Sequence, residues 1–477
     1  MAAKNNYADL HCHISLKQYV NNKRSLWHHK AYDNNRNKGP RSGAESYSQS
    51  DVTSLVDGRV DLAVVALHPL ENLIDNSGFL AKYLANSIFF QFKLGHLKRL
   101  RKAYDTKFKL LNYELNFVKR GPVQNGRRRF HLVENKHDLN KEGTKVILSI
   151  EGGHSLQGEG KSLQLMHQEL PVNLEKIKKS LPPWNLPVFM LTLCHFEFNQ
   201  LAGQAWALPL PGVAKPILKK ARELIKVPKG REGITPLGKK IVNQALDNNH
   251  GRRILIDLKH CSVQARQDYY QLVRTQHESE NIPIIFSHAA VSGINTFEQQ
   301  LNDVDNQKAN IAKHFEKFNP WAINLCDDDI REIAELGGLI GITLDERILG
   351  SKNASHIKHI RKNLRRAGIA TNKWNVHAML FLENVFHVVA VGDRNEMWSI
   401  ICISSDFDGI IDPIESCPTA KHLDKFERLL VRIGWQYYQR CDYYKRVFLT
   451  GASDFKKKIR KVMFENQRDF IFENFPE

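Results

Sequence analysis

The chain has 477 residues, 42% hydrophobic and 25% charged, a globular balance that excludes a disordered chain. No stretch reaches the ~18 to 20 uninterrupted apolar residues of a membrane span, and the N-terminal MAAKNNYADLHCH lacks the apolar core of a signal peptide, so a soluble, cytoplasmic enzyme is the expectation. The formal net charge of +18 would speed association with anionic partners such as nucleic acid or acidic lipid, although its plainer meaning is a solvated surface.

Eight runs rich in Val, Ile and Leu have the length of strands buried on both faces of a parallel sheet. In chain order they are Tyr7 to Leu10, Val60 to Leu67, Lys145 to Ile150, Val188 to Cys194, Arg253 to Leu258, Ile282 to Ser287, Gly338 to Leu344 and Ile400 to Ser405. Segments with helical spacing lie between several of them: Pro236 to Asn248 behind a Thr235 cap, Val263 to Gln276, and Asp327 to Leu336 ending at Gly337. Alternating strands and helices predict an α/β architecture. The count of eight, with reactive residues after so many strands, favours a closed (β/α)8 TIM-like barrel over an open doubly wound sheet.

Three stretches exceed ordinary loops: about 92–140, about 206–232 and about 295–320. With no repeat or flexible linker, residues 1–477 read as a single barrel domain with insertions, closed by a helical tail from about 422 to 477. Seven cysteines (Cys12, Cys194, Cys261, Cys326, Cys402, Cys417, Cys441) are scattered and never form a CxxC pair, which argues against a disulfide framework or a zinc ribbon and fits a reducing compartment.

His11 and His13 form an HxH pair, and the period of two along a strand puts both imidazoles on one face, as chelation of a metal ion requires. Glu151 directly follows a buried run and precedes Gly152 and Gly153, where the backbone can be approached closely. His195, His260, His288 and Asp406 also sit at or just past strand ends, so six strand-end positions converge on one barrel mouth. Imidazole with carboxylate suits Zn, with Mn, Fe or Co as alternatives, and the natural reaction is hydrolysis of an amide or ester.

These residues resemble the membrane dipeptidase (renal dipeptidase) family of the metal-dependent hydrolase superfamily. The likeness lies in SIEGGHSL at 149–156, LTLCH at 191–195, GITPLGKKIV at 233–242, LIDLKHCS at 255–262, IIFSHAAVSG at 284–293, NLCDDDIREIAELGGLIGI at 324–342 and SSDFDG at 404–409, in the family's order. The resemblance implies a zinc metallopeptidase in which Glu151 bridges two ions, His11 and residue 13 complete one metal site, and His260 and His288 complete the other. It further implies that Asp406 handles the catalytic proton, that His195 faces the substrate and steadies the oxyanion, and that Asn324 belongs to a substrate-binding pair.

Two departures qualify this reading. His13 stands where the family places an aspartate, which leaves one or two ions as alternatives, and Ile323 stands where the family's arginine receives the substrate carboxylate. The 92–140 stretch, with KRLRK at 98–102 and GRRRF at 126–130, is read mainly as solvated decoration, with a substitute cation as the alternative. The expected function is a zinc dipeptidase acting on a small peptide-like substrate. The alternatives are a related amidohydrolase for an N-acyl amino acid, lactone or phosphoester, and a catalytically weak metal-binding scaffold whose basic surface binds nucleic acid or membrane. A homodimer is compatible with the sequence.

Overall fold

The aliphatic runs form eight parallel strands: β1 (Tyr7–Cys12), β2 (Val60–Leu67), β3 (Thr144–Glu151), β4 (Val188–Thr192), β5 (Leu255–Asp257), β6 (Ile285–Ala289), β7 (Leu339–Ile342) and β8 (Ile401–Ile403). They neighbour one another in chain order, with registers such as Val64 opposite Ile147, Leu191 opposite Ile256 and Gly341 opposite Cys402. The computed structural model describes residues 6–23, 25–32, 47–71, 94–121, 123–124, 127–128, 130–159, 162–205, 232–306, 318–440 and 446–476. Every strand residue is buried except Asp61 in β2, whose carboxylate accepts from Lys145 Nζ at 2.6 Å. Burial on both faces is what a parallel sheet wrapped in helices imposes.

The sheet closes where β1 meets the segment after β8. Asp406 N–H donates to His11 O at 2.9 Å, His13 N–H donates to Phe407 O at 2.9 Å, and Cys12 bridges Phe407 in parallel. The result is the predicted (β/α)8 barrel, whose strand ends share one mouth. Strand β7 is shorter than its apolar run: Leu344 is fully buried but lies beyond the ladder. Burial without ladder pairing is what an apolar run alone cannot distinguish from a strand.

Pro236–Leu246 begins at Thr235, whose Oγ1 accepts from Gly238 N at 3.0 Å, with proline in the first turn as the cap pattern predicts. Val263–Gln276 is capped by Ser262, and Asp327–Glu335 carries three aspartates in its first turn, favourable at a helix N-terminus. The first long insertion is partly regular, with helices Leu94–Ala103 and Lys107–Lys119 and a strand Phe130–Leu132 paired beside β3. The second falls almost wholly outside the described residues, and the third contributes helix Phe297–Asn306. The tail is helical as expected, through Leu423–Arg440, Ala452–Arg460, a π-helical turn Lys461–Glu465 and Asn466–Asn474.

Between β7 and β8 stand two helices that periodicity had not marked, Ala354–Arg366 and Lys373–Gly392. Lys373–Gly392 is long and apolar enough to cross a membrane, but 83% of its most apolar window is buried in the fold against Asp327–Glu335, Ala354–Arg366 and Leu423–Arg440. A helix apolar on all sides is a core helix when other helices cover it.

Candidate metal centre

Glu151 ends β3 and is 3% exposed, at the centre of the barrel mouth. Its two oxygens face different imidazoles. Oε1 lies 3.4 Å from His11 Nε2, 3.4 Å from His260 Nε2 and 3.7 Å from His288 Nε2. Oε2 lies 3.3 Å from His13 Nε2, 3.7 Å from His195 Nε2 and 3.6 Å from His68 Nδ1. Asp406 closes the ring, with Oδ1 3.7 Å from His13 Nε2 and 3.9 Å from His11 Nε2, and Oδ2 3.9 Å from His288 Nε2.

The backbone is shaped around this cluster. His11 and His13 leave the end of β1 on one face, with their Nε2 atoms 3.3 Å apart. Gly152 has φ of 91°, and a Cβ there would lie 2.4 Å from the His154 ring, so only glycine lets the chain turn directly behind Glu151. His260, Asp406 and Asp408 also adopt positive φ (66°, 57° and 62°), a region that non-glycine residues seldom enter and that clusters at functional sites. Asp408 anchors its loop by accepting from Ser50 N at 2.8 Å and pairing with Lys17 Nζ at 2.6 Å. Below the cluster, Asp257 joins three strands by accepting from Thr192 Oγ1 at 2.6 Å and from Ser287 Oγ at 2.7 Å.

Electrostatics in the barrel mouth favour neutral imidazoles, His11 excepted, around an ionised carboxylate. Burial pushes His68 and His260 down to about 3 and His195 to about 4, and lowers His13 and His288 as well. Burial also works against His11, but the Glu151 carboxylate outweighs it and raises His11 to about 9. Glu151 itself is disfavoured by burial yet held well below its ordinary range by His195 and His11. Burial drives Asp406 well above the usual carboxylate range, opposed by His11 and reinforced by Glu151 and Asp345. A neutral imidazole offers the lone pair that a metal requires.

The donor set fits a divalent ion. Three groupings place ligand atoms within 4.8 Å of one another: His11, Glu151 and His288; His11, His13 and Asp406; and His68, Glu151 and His195. Nε2 of both His260 and His68 is buried without a hydrogen-bond partner among the described residues, a cost that a coordinating ion relieves.

Of the residues singled out from sequence, His11, His13, Glu151, His195, His260, His288 and Asp406 meet in this cluster. Asn324 does not. Its Nδ2 donates to Asn319 O at 2.9 Å and Ile348 O at 3.1 Å, and Ile323 beside it is 1% exposed in the core.

Three residues of the mouth were not singled out from sequence. His68 follows β2 directly and carried the same strand-end signal as the others. Glu71 is 1% exposed and accepts from His195 Nδ1, Phe196 N and Glu197 N, each at 2.8 Å, a long-range contact without a sequence signature. Lys259 is 1% exposed, and its Nζ has no hydrogen-bond partner among the described residues. Burial lowers its pKa to about 8 against the pull of Asp406, Asp257, Asp345 and Glu151.

The basic insertion also has a structural part to play. Arg101 Nη2 donates to Leu70 O at 2.6 Å and Glu71 O at 2.9 Å, and Lys107 Nζ donates to Leu70 O. Glu114 accepts from His68 N at 2.8 Å and Ser15 Oγ at 2.6 Å. These residues brace the loop that brings His68 and Glu71 to the mouth, a role beyond surface decoration.

No protein-family model and no curated protein sequence matches the chain. Solved structures do. A metallo peptidase from Rhodobacter sphaeroides, liganded with a phosphinate mimic of the dipeptide L-Ala-D-Ala, aligns over 99% of both chains with a TM-score of 0.55 at 15% identity. The dipeptidase AC, also a metallo peptidase, aligns over 99% of both chains with a TM-score of 0.52 at 14% identity. At these identities the likeness establishes a shared fold, which is the fold the sequence resemblance implied.

Proposed function

We propose that the chain is a metal-dependent hydrolase, and more narrowly a zinc dipeptidase that cleaves a small peptide-like amide. The observation that carries the reading is the buried Glu151 carboxylate, with imidazoles on each of its oxygens and Asp406 beside them. His11, His13, Glu151, His260 and His288 would hold one or two ions, zinc being the default for this donor set. A divalent ion bound there lowers the pKa of water to about 7 and polarises an amide carbonyl.

The chain's own residues supply positioning and proton transfer. Asp406 reaches the cluster through both carboxylate oxygens, which suits it to take a proton from the attacking water and pass it to the leaving nitrogen. Closely packed, largely buried side chains exclude bulk water and strengthen every charge interaction in the mouth. Between the two substrate contacts implied by resemblance, the geometry favours His195, which faces the cluster, over Asn324, which is tied to backbone carbonyls.

The fold shared with a metallo peptidase that carries a dipeptide mimic supports a dipeptide-sized substrate. The burial of Ile323 favours a second reading, in which the same chemistry acts on an N-acyl amino acid, lactone or phosphoester. The six described cysteines are free and buried, which supports a reducing, cytoplasmic setting; Cys441 lies outside the described residues. The test is a panel of dipeptides, N-acyl amino acids, lactones and phosphoesters, assayed before chelation, after it and after zinc restoration. Dipeptide cleavage that chelation abolishes and zinc restores supports the first reading. Turnover confined to another class selects the second, and polyanion binding that survives chelation without any turnover would favour a scaffold.

A further inference from the structure

We propose that a cavity outside the barrel mouth binds a small aromatic anion of the nucleoside monophosphate class. The cavity measures about 340 Å³, within the size range of small-molecule sites, and lies between the loop after helix Leu16–Val20 and the insertion helix Lys107–Lys119. Leu26, Trp27, Tyr113 and Phe117 form its walls, and the half-buried Lys23 and exposed Arg120 add two cations. No residue of the metal centre lines it, so the inference is independent of how the mouth works.

The walls are fixed before any ligand arrives. Trp27 Nε1 donates to Gly121 O at 2.7 Å, and its ring packs against Phe130 with 6.1 Å between centroids, so the indole is pinned in the cavity wall. Leu26 and Phe117 are buried, and the Tyr113 ring meets Tyr19 edge-on at 6.3 Å. The loop is tied to its helix, Asn22 N donating to Tyr19 O at 3.2 Å and Lys23 N to Gln18 O at 2.8 Å. A preformed wall spares a ligand the cost of ordering it.

Aromatic walls combined with two cations define the ligand. A flat base stacks on indole, phenol and phenyl rings, and a phosphate takes charge-assisted hydrogen bonds from an ammonium and a guanidinium. No acidic residue lines the cavity, and neither Lys23 nor Arg120 is in an ion pair among the described residues. Arg120 Nε donates to Asn116 O at 3.1 Å, which leaves both Nη groups for an anion. Asn22 and Ser25 add neutral polar groups of the kind that hold a ribose. Both walls also reach the loop behind the mouth: Tyr19 Oη donates to His68 O at 2.8 Å, and Glu114, on the wall helix, accepts from His68 N at 2.8 Å. A ligand in the cavity is thus joined to the metal centre through His68 without entering it.

The experiment is isothermal titration calorimetry of the full chain with adenosine 5′-monophosphate, adenosine and inorganic phosphate, on metal-loaded and chelator-treated protein. It compares wild type with Trp27→Leu and with the double variant Lys23→Gln, Arg120→Gln, using circular dichroism to verify folding. The expected result is one saturable site for the monophosphate that survives chelation, with adenosine and phosphate each weaker by about 10-fold or more. The double variant is expected to weaken the monophosphate by about 10- to 100-fold and leave adenosine unchanged. Trp27→Leu is expected to weaken the monophosphate and adenosine alike, by about 10-fold. The double variant changes only side chains outside the core, so the test stands even where Trp27→Leu fails to fold. No saturable binding by wild type, binding lost on chelation, or equal binding in the folded variants would overturn the site and leave the reading of the mouth intact.

Discussion

Asp406 and Lys259 carry opposite charge types into the same barrel mouth, and their surroundings give them different consequences. Asp406 is assigned the proton, so Asp406→Asn should lower kcat/KM by about 10²- to 10⁴-fold with metal content retained, as steady-state kinetics and elemental analysis would show. A parallel loss of metal would make it a ligand instead. Lys259 is buried, its Nζ has no hydrogen-bond partner among the described residues, and burial outweighs the pull of Asp406, Asp257, Asp345 and Glu151, so its charge is costly where it sits. Lys259→Met should therefore stabilise the metal-free protein by about 1–3 kcal/mol in urea unfolding, and a destabilised variant would refute that account. His11, His13, Glu151, His195, His260, His288 and Asp406 were legible because each metal-binding residue type sits at a strand end. His68 obeyed the same rule. Glu71 and Lys259 were not legible, because their importance comes from contacts across the barrel that chain order does not encode.

Strands and helices were legible to different degrees for physical reasons. Runs buried on both faces located all eight strands, yet overshot at Leu344, where burial continues after ladder pairing stops, and undershot at β1, where His11 and Cys12 are not strand-typical but lie in the strand. The helix Lys373–Gly392 shows little amphipathic contrast because it is covered nearly all round, and a buried polar network fixes its position. Glu383 on that helix accepts from His356 Nε2 at 2.6 Å and from Tyr437 Oη, which tie it to Ala354–Arg366 and Leu423–Arg440. Burial alone would raise the Glu383 pKa, but the His356 hydrogen bond and charge, with His359 and Tyr437, bring it below its ordinary 4.5. A carboxylate lowered on folding contributes stability that is complete above the unfolded value and is lost as pH falls through the folded one. His356→Phe should cost about 1–3 kcal/mol at neutral pH, the loss of a buried hydrogen bond to a carboxylate, and flatten the loss of stability below pH ~4.5, measured by urea unfolding across that range. Unchanged stability and an unchanged acid limb would refute the network's role.

At the scale of the whole molecule, barrel closure is what turns scattered strand ends into one site. The Cys12 to Phe407 bridge and the His11 to Asp406 backbone hydrogen bond bring the first and last strands together, so that residues 395 positions apart in sequence share one cluster. The insertions are not uniform decoration: the first sends Arg101, Lys107 and Glu114 to brace the loop of His68 and Glu71, and that brace was illegible because its basic residues look like ordinary surface. The central claim is that this mouth holds a metal ion, and the most direct measurement is elemental analysis of protein purified without added metal and again after zinc loading and dialysis. The account predicts at least one divalent ion per chain, stripped by chelation and recovered on zinc addition. Protein that holds no divalent metal under either condition would contradict it.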